Sequence, residues 1–247
     1  MDTRRRFEGH VCLVTGGGRG IGRAVAVALA AEGGTVAVAA RTREQVQAVA
    51  AEIGGLALAI DVRDEGACER AVAEVAERLG PLSVLVNAAG ISPVRQRAEL
   101  HDVGAFRDLL DVNLTGAYLM TRAAVPLLLE NGGSVVMVAS VTGLSGSPRL
   151  AGYGAAKAGL VQLTRTLALE WADRGVRVNA VCPGYVETAR TEKLLAVERL
   201  RDEVLSATPL GRLATLDEVV APVLFLASSE ASYITGTALP VDGGTVA

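Results

Sequence analysis

With 247 residues, half of them hydrophobic, the chain is long enough to bury one large core or two modest ones. Its net charge of −3 argues against nucleic acid or an anionic membrane surface as the main partner. Cys12, Cys68 and Cys182 are far apart and lack Cys-x-x-Cys spacing, so they indicate neither a disulfide framework nor a zinc site, and no other ligand cluster implies a metal.

In chain order, the basic cluster Arg4 to Arg6 reads as a solvated N-terminal arm, too soon followed by Val11–Val14 to form a signal peptide. Uninterrupted apolar runs recur at Val11–Thr15, Thr35–Ala40, Leu56–Ile60, Val84–Asn87, Ser134–Ala139, Val176–Val181 and Ala238–Val241. Such runs suit strands buried on both faces, with Cys12 and Cys182 as small hydrophobes inside them. Between them, Gly20–Glu32, Glu44–Ile53, Glu65–Leu79, Val103–Glu130 and Ala155–Asp173 carry alanine, leucine and charge at helical spacing. The alternation predicts one α/β domain over 1–247, a Rossmann-type doubly wound parallel sheet of seven strands flanked by helices. The more polar stretch 186–209, with a helix expected over Lys193–Leu205, reads equally as a substrate lid or as a surface excursion. No apolar stretch reaches membrane-spanning length without charge, glycine or proline, so a cytoplasmic protein is the economical reading.

The first strand leads into Thr15-Gly16-Gly17-Gly18-Arg19-Gly20-Ile21-Gly22 and then an alanine-rich helix. A glycine-rich turn of this kind lets backbone approach a pyrophosphate at a helix N-terminus, where free amides and the dipole favour negative charge. The spacing is Gly-x-x-x-Gly-x-Gly, not Gly-x-Gly-x-x-Gly, and Arg23-Ala24 stands where a Walker loop needs Lys-Ser/Thr. The second strand ends in Ala40-Arg41-Thr42-Arg43 without the carboxylate that would hold the ribose hydroxyls of NAD. Guanidinium groups at Arg41 and Arg19 suit a 2′-phosphate, so NADP(H) is expected over NAD(H).

Tyr153 and Lys157, four residues apart on an expected helix, share one face, so the ammonium can stabilise the phenol's anion. Ser140 follows the fifth strand, at the end where doubly wound sheets bind ligands, and can donate a hydrogen bond to a carbonyl oxygen.

With Thr15–Gly22 and Tyr153/Lys157 together, the sequence resembles the short-chain dehydrogenase/reductase family over nearly its whole length. The resemblance extends to Asp61-Val62, expected at adenine, and to Asn87-Ala88-Ala89-Gly90, which departs from the family's Asn-Asn-Ala-Gly at Ala88. It also covers Pro183, Gly184, Val186 and Thr188, expected at the nicotinamide carboxamide, and Val241-Asp242-Gly243-Gly244. It implies a catalytic tetrad of Asn113, Ser140, Tyr153 and Lys157, with Tyr153 and Lys157 also touching cofactor and Asn113 positioning a water that returns the proton through Lys157.

The implied reaction is NADPH-dependent reduction of a ketone or 3-oxoacyl group, an acyl thioester among the possible substrates. The overall look is nearest to 3-oxoacyl-(acyl-carrier-protein) reductases and polyketide ketoreductases. Leu129-Glu130-Asn131 lacks the basic residues that would dock an acidic carrier. Alternatives are an oxidative NAD(P)-dependent alcohol or hydroxyacyl dehydrogenase and a non-catalytic dinucleotide-binding regulator. Val141, Thr142, Leu150, Tyr185 and the 186–209 stretch are expected to face substrate, with Ser92 and Val94 at the mouth, and the resemblance implies a homotetramer.

Overall fold

A computed structural model describes residues 5–247 except 94, 189–190 and 193–194. Its strands are β1 (Val11–Thr15), β2 (Thr35–Ala40), β3 (Leu56–Ala59), β4 (Leu82–Asn87), β5 (Gly133–Val138), β6 (Val176–Pro183) and β7 (Ala238–Val241). Its helices are α1 (Gly20–Ala31), α2 (Arg43–Ile53), α3 (Glu65–Leu79), α4 (Val103–Leu110), α5 (Gly116–Asn131), α6 (Ala151–Trp171), α7 (Glu198–Ser206) and α8 (Leu216–Ala227).

All seven strands are parallel in one sheet ordered β3-β2-β1-β4-β5-β6-β7. The chain winds outward from β1 through β2 and β3, then returns to lay β4 on β1's other side. The switch point between β1 and β4 opens a crevice at the strands' C-terminal ends. Within β1, Leu13 belongs to a core shared with Cys68, Met120 and Leu160 of α3, α5 and α6. Its neighbours Cys12 and Val14 face the opposite core, with Val25, Val49 and Val223 of α1, α2 and α8. Strand alternation thus divides one apolar run between two layers.

Several elements differ from the sequence reading. Helix α8 has no counterpart among the expected helices, although Thr215 and Glu218 form a capping box at its start. Helix α6 begins at Ala151, a turn earlier than expected, which places Tyr153 inside it. In the expected Lys193–Leu205 helix, extended backbone at Val197 interrupts the helix and α7 starts at Glu198, while Lys193 and Leu194 lie outside the described residues.

Arg6 is not a solvated arm: its guanidinium is gripped by Glu32 at 2.6 Å and reaches Glu230 at 3.0 Å, pinning the N-terminal segment to α1 and the turn after α8. Arg4 lies outside the described residues. Between α4 and α5 the helix widens into a π-turn over Asp111–Thr115. The resulting Val103–Asn131 is long and apolar enough to cross a membrane, yet Met120, Ala124 and Leu128 are fully buried in the core beside β4 and α3.

Candidate active site

The β1–α1 turn is shaped by contact with the end of β4. Gly16 has φ 66, and a Cβ there would stand 2.6 Å from the Ala88 carbonyl oxygen, so this position needs glycine on both counts. Thr15 Oγ1 accepts the amides of Ala88 and Ala89, each at 3.2 Å. Asn87 in turn donates to Thr121 Oγ1 at 2.8 Å, anchoring the end of β4 to α5. The contact that Ala88 makes here is through its backbone, which a change of side chain at that position leaves in place.

The start of α1 leaves backbone donors uncapped. At Arg19, the N-cap of α1, the backbone is extended and no side chain caps the helix, so the first-turn amides around Gly20, Ile21 and Gly22 remain open to an anion. Gly18 lies against Gln45 and Ala40. Arg19 and Arg41 are exposed and make no hydrogen bond or ion pair among the described residues, and Thr42 at the start of α2 likewise makes no side-chain cap. Asp61 is held by Arg63, whose Nη2 donates at 2.6 Å. That bond, with Arg41 adding a smaller pull, keeps the Asp61 carboxyl below the usual carboxylate range. Val62 is buried and packs over Gly116, leaving only its backbone to face a ligand.

At the other end of the crevice, β5 gives way to a 3₁₀ turn over Val141–Gly143, led by Ser140. Ser140 Oγ accepts from Thr142 N at 3.3 Å and Thr142 Oγ1 at 3.1 Å. With both lone pairs taken, the serine proton is free to point outward as a donor. Helix α6 packs beside this turn and presents Tyr153 and Lys157, with Nζ 5.7 Å from the phenol ring centroid. Lys157 is 5% exposed and donates to the Val138 carbonyl at 2.7 Å. Under this turn, burial pushes the Cys182 thiol up to about 11, so it fills space and is not a nucleophile at neutral pH.

Asn113 sits in the π-turn, 1% exposed. Its Oδ1 accepts from Ile91 N at 3.1 Å, and its Nδ2 donates to Ile91 O at 3.3 Å and Leu109 O at 3.0 Å. Both amide protons are thus committed, which ties the segment after β4 to the π-turn. Gly90 permits this, since a Cβ there would lie 2.6 Å from Asn113 Oδ1.

Beyond β6, Gly184 N bonds Val241 O at 3.0 Å, and Val186 bridges to Ala214. Thr188 pairs with Thr191, whose hydroxyl also reaches the Val186 carbonyl. At the far end of 186–209, Thr208 and Pro209 pack on Gly243 and Gly244, giving the Val241–Gly244 segment a structural job. Tyr185 OH accepts from Arg95 Nη1 at 3.2 Å. Of the other residues expected to face substrate, Thr142 and Leu150 line a cavity of ≈ 450 Å³, but so do Gly154, Ala155 and Ala158 while Tyr153 and Lys157 do not. This cavity is lined by the turn after β5 and the start of α6. Val141 is 8% exposed, leaving it little surface for a substrate; Ser92 is exposed, and Val94 lies outside the described residues.

A family profile described as Enoyl-(Acyl carrier protein) reductase matches residues 16–246. The 3-oxoacyl-[acyl-carrier-protein] reductase of Thermotoga maritima is 41% identical, over 98% of this chain and 99% of its own. The chain belongs to the short-chain dehydrogenase/reductase family. The meso-2,3-butanediol dehydrogenase of Serratia marcescens is 40% identical, over 98% of this chain and 96% of its own. A solved Sinorhizobium meliloti structure named as a short-chain alcohol dehydrogenase superposes with a TM-score of 0.93 at 39% identity, covering 98% of both chains. This short-chain dehydrogenase/reductase is accordingly an oxidoreductase of CH–OH and C=O groups.

Sequence reasoning missed several contacts in this short-chain dehydrogenase/reductase: Thr142 behind Ser140, the Val138 carbonyl under Lys157, Arg63 on Asp61 and Arg95 on Tyr185. Arg63 and Thr142 had a local signal, each lying two residues from the group it binds. The others join segments that meet through the sheet order.

Proposed function

We propose that this enzyme reduces a ketone or 3-oxoacyl carbonyl to a secondary alcohol, with NADPH as its reductant. The reading is carried by Ser140, its lone pairs filled by Thr142, at the end of the strand to which Lys157 is bonded beside Tyr153. A bound nicotinamide supplies the hydride to the carbonyl carbon. Ser140 donates to the carbonyl oxygen, Tyr153 passes its phenolic proton to that oxygen as charge develops, and the Lys157 ammonium stabilises the phenolate left behind. Asn113 acts as a positioning residue through the π-turn.

In this reading Gly16, Gly18, Arg19, Gly20, Ile21 and Gly22 hold the pyrophosphate, and Arg41 with Arg19 and Thr42 takes the 2′-phosphate. Asp61 and the Val62 backbone flank adenine, Asn87, Ala88, Ala89 and Gly90 line the path between, and Pro183, Gly184, Val186 and Thr188 hold the carboxamide. The stretch 186–209 covers the substrate. A cytoplasmic homotetramer joined through the α4–α5 and α6 faces is part of the proposal; Val103, Tyr118 and Leu169 are exposed there.

A second reading, oxidation of a small secondary alcohol, is favoured by the near-equal identity to the butanediol dehydrogenase. Following nicotinamide absorbance with ketone and alcohol panels, using both NADPH and NADH, separates the two. In the same assay Tyr153→Phe should keep NADPH binding and lose about 10²–10⁴-fold in turnover. A near-normal rate would remove the proton-donor role.

A further inference from the structure

The segment after β4 is bonded to the residue that follows β6. Arg95 donates to Tyr185 OH, which follows β6, while β5 lies between β4 and β6 in the sheet. Those two strands stand about 10 Å apart, two strand spacings, so the Arg95–Tyr185 link spans the end of β5, where Ser140 leads the catalytic turn. Arg95 is exposed and pairs with no carboxylate among the described residues, whereas its neighbour Arg97 is bound by Glu99 at 2.8 Å. The bond to Tyr185 uses one of the guanidinium's five N–H donors.

The same segment is tied to the loop ahead of Tyr153, since Gln96 N bonds Arg149 O at 3.1 Å. Arg149 holds φ 67, the left-handed region, as the one non-glycine residue to do so among those described. It too is exposed and without a carboxylate partner among the described residues. A position where glycine would be comfortable thus carries a cation, on a strand of backbone joined to Arg95. Two exposed guanidinium groups thus lie on linked segments without an ion-pair partner among the described residues, and the planar fork of Arg95 matches a carboxylate in two-point contact.

We propose that Arg95, positioned by Tyr185, recognises a carboxylate on the substrate, so that the preferred ketone is an oxo acid. This rests on the reading of Ser140, Tyr153 and Lys157 as a carbonyl-reducing site.

The test is a series of oxo acids of increasing chain length against their methyl esters, with the wild type, Arg95→Ala, Arg95→Lys and Tyr185→Phe. The wild type should favour the best acid over its ester by about tenfold or more in kcat/KM, expressed mainly in KM and weakened by added salt. Arg95→Ala should abolish that preference while leaving ester turnover within about threefold, which also shows that the variant folds. Arg95→Lys should restore part of it, and Tyr185→Phe should reduce it. Equal use of acids and esters by the wild type, or an equal loss on both in Arg95→Ala, would show that the arginine is only a latch between loops and overturn the proposal. If neutral ketones are reduced normally, that failure leaves the carbonyl-reducing reading intact. If no carbonyl compound is turned over with either nicotinamide, that reading fails and this one falls with it.

Discussion

Lys157 Nζ donates to the main-chain oxygen of Val138 at 2.7 Å, two residues ahead of Ser140 on the same run of chain. The contact locks the register of α6 against the end of β5, so the helix that carries Tyr153 and the strand that leads to Ser140 cannot slide independently. It also gives a buried ammonium a partner, which its charge requires. Lys157→Met should lower turnover by about 100-fold or more and leave the Val138 carbonyl without its donor. An unsatisfied buried acceptor costs roughly 1–3 kcal/mol, or a few degrees of melting temperature in a chain of this size. Calorimetry and initial rates on the one variant read both effects, and an unchanged melting temperature would mean the bond contributes nothing.

Gly16 should resist even the smallest substitution. An alanine there must hold φ 66 and place its Cβ against Ala88 backbone, which cannot move without breaking the Thr15 bonds to the same loop. The left-handed backbone alone costs about 1–2 kcal/mol, and overlap adds to it. We expect Gly16→Ala to lower thermal stability and to weaken dinucleotide binding at least tenfold by calorimetry. Wild-type affinity for NADPH in this variant would mean that the turn does not hold the phosphates.

Arg41 should select between the two nicotinamide cofactors. Its guanidinium has no competing partner among the described residues and already acts on Asp61 through space. Removing it in Arg41→Ala should raise KM for NADPH by about 10-fold or more and change KM for NADH little, because only NADPH carries the 2′-phosphate. Equal changes for both would remove the phosphate role.

The Arg212–Glu218 pair should be visible in acid. Arg212 donates to both oxygens of Glu218 at 2.6 and 2.7 Å, and Thr215 N adds a bond at 2.9 Å. Together they hold the Glu218 carboxyl down to about 2, from about 4.3 in an unfolded chain. A depressed carboxylate stabilises the fold fully above the unfolded value and progressively less as pH falls from there towards about 2. Glu218→Gln should therefore melt below the wild type at pH 6, with the gap closing as the pH is taken to 3. The local consequence is at Ala214, which bridges Val186 beside this cap, so the base of the 186–209 stretch should loosen too. A gap that stayed constant with pH would assign the loss to packing.

Features whose physics is local were legible along the chain. Uninterrupted apolar runs announce strands buried on both faces, glycines after β1 announce a turn that backbone must approach closely, and a four-residue spacing places Tyr153 and Lys157 on one helix face. Whatever depends on which strands lie side by side came from the fold. Lys157 finds Val138, Arg95 finds Tyr185 and Arg6 finds Glu230 across 19, 90 and 224 positions of chain, respectively. The π-turn at Asn113 was likewise invisible, because helical periodicity over Val103–Glu130 reads the same with one widened turn, and the Ile91 backbone that arrives beside it to take two of the asparagine's bonds comes from a distant part of the chain. No periodicity records such pairs, since they are made when the sheet brings distant strand ends to one crevice and charge and hydrogen-bond donors there must be satisfied.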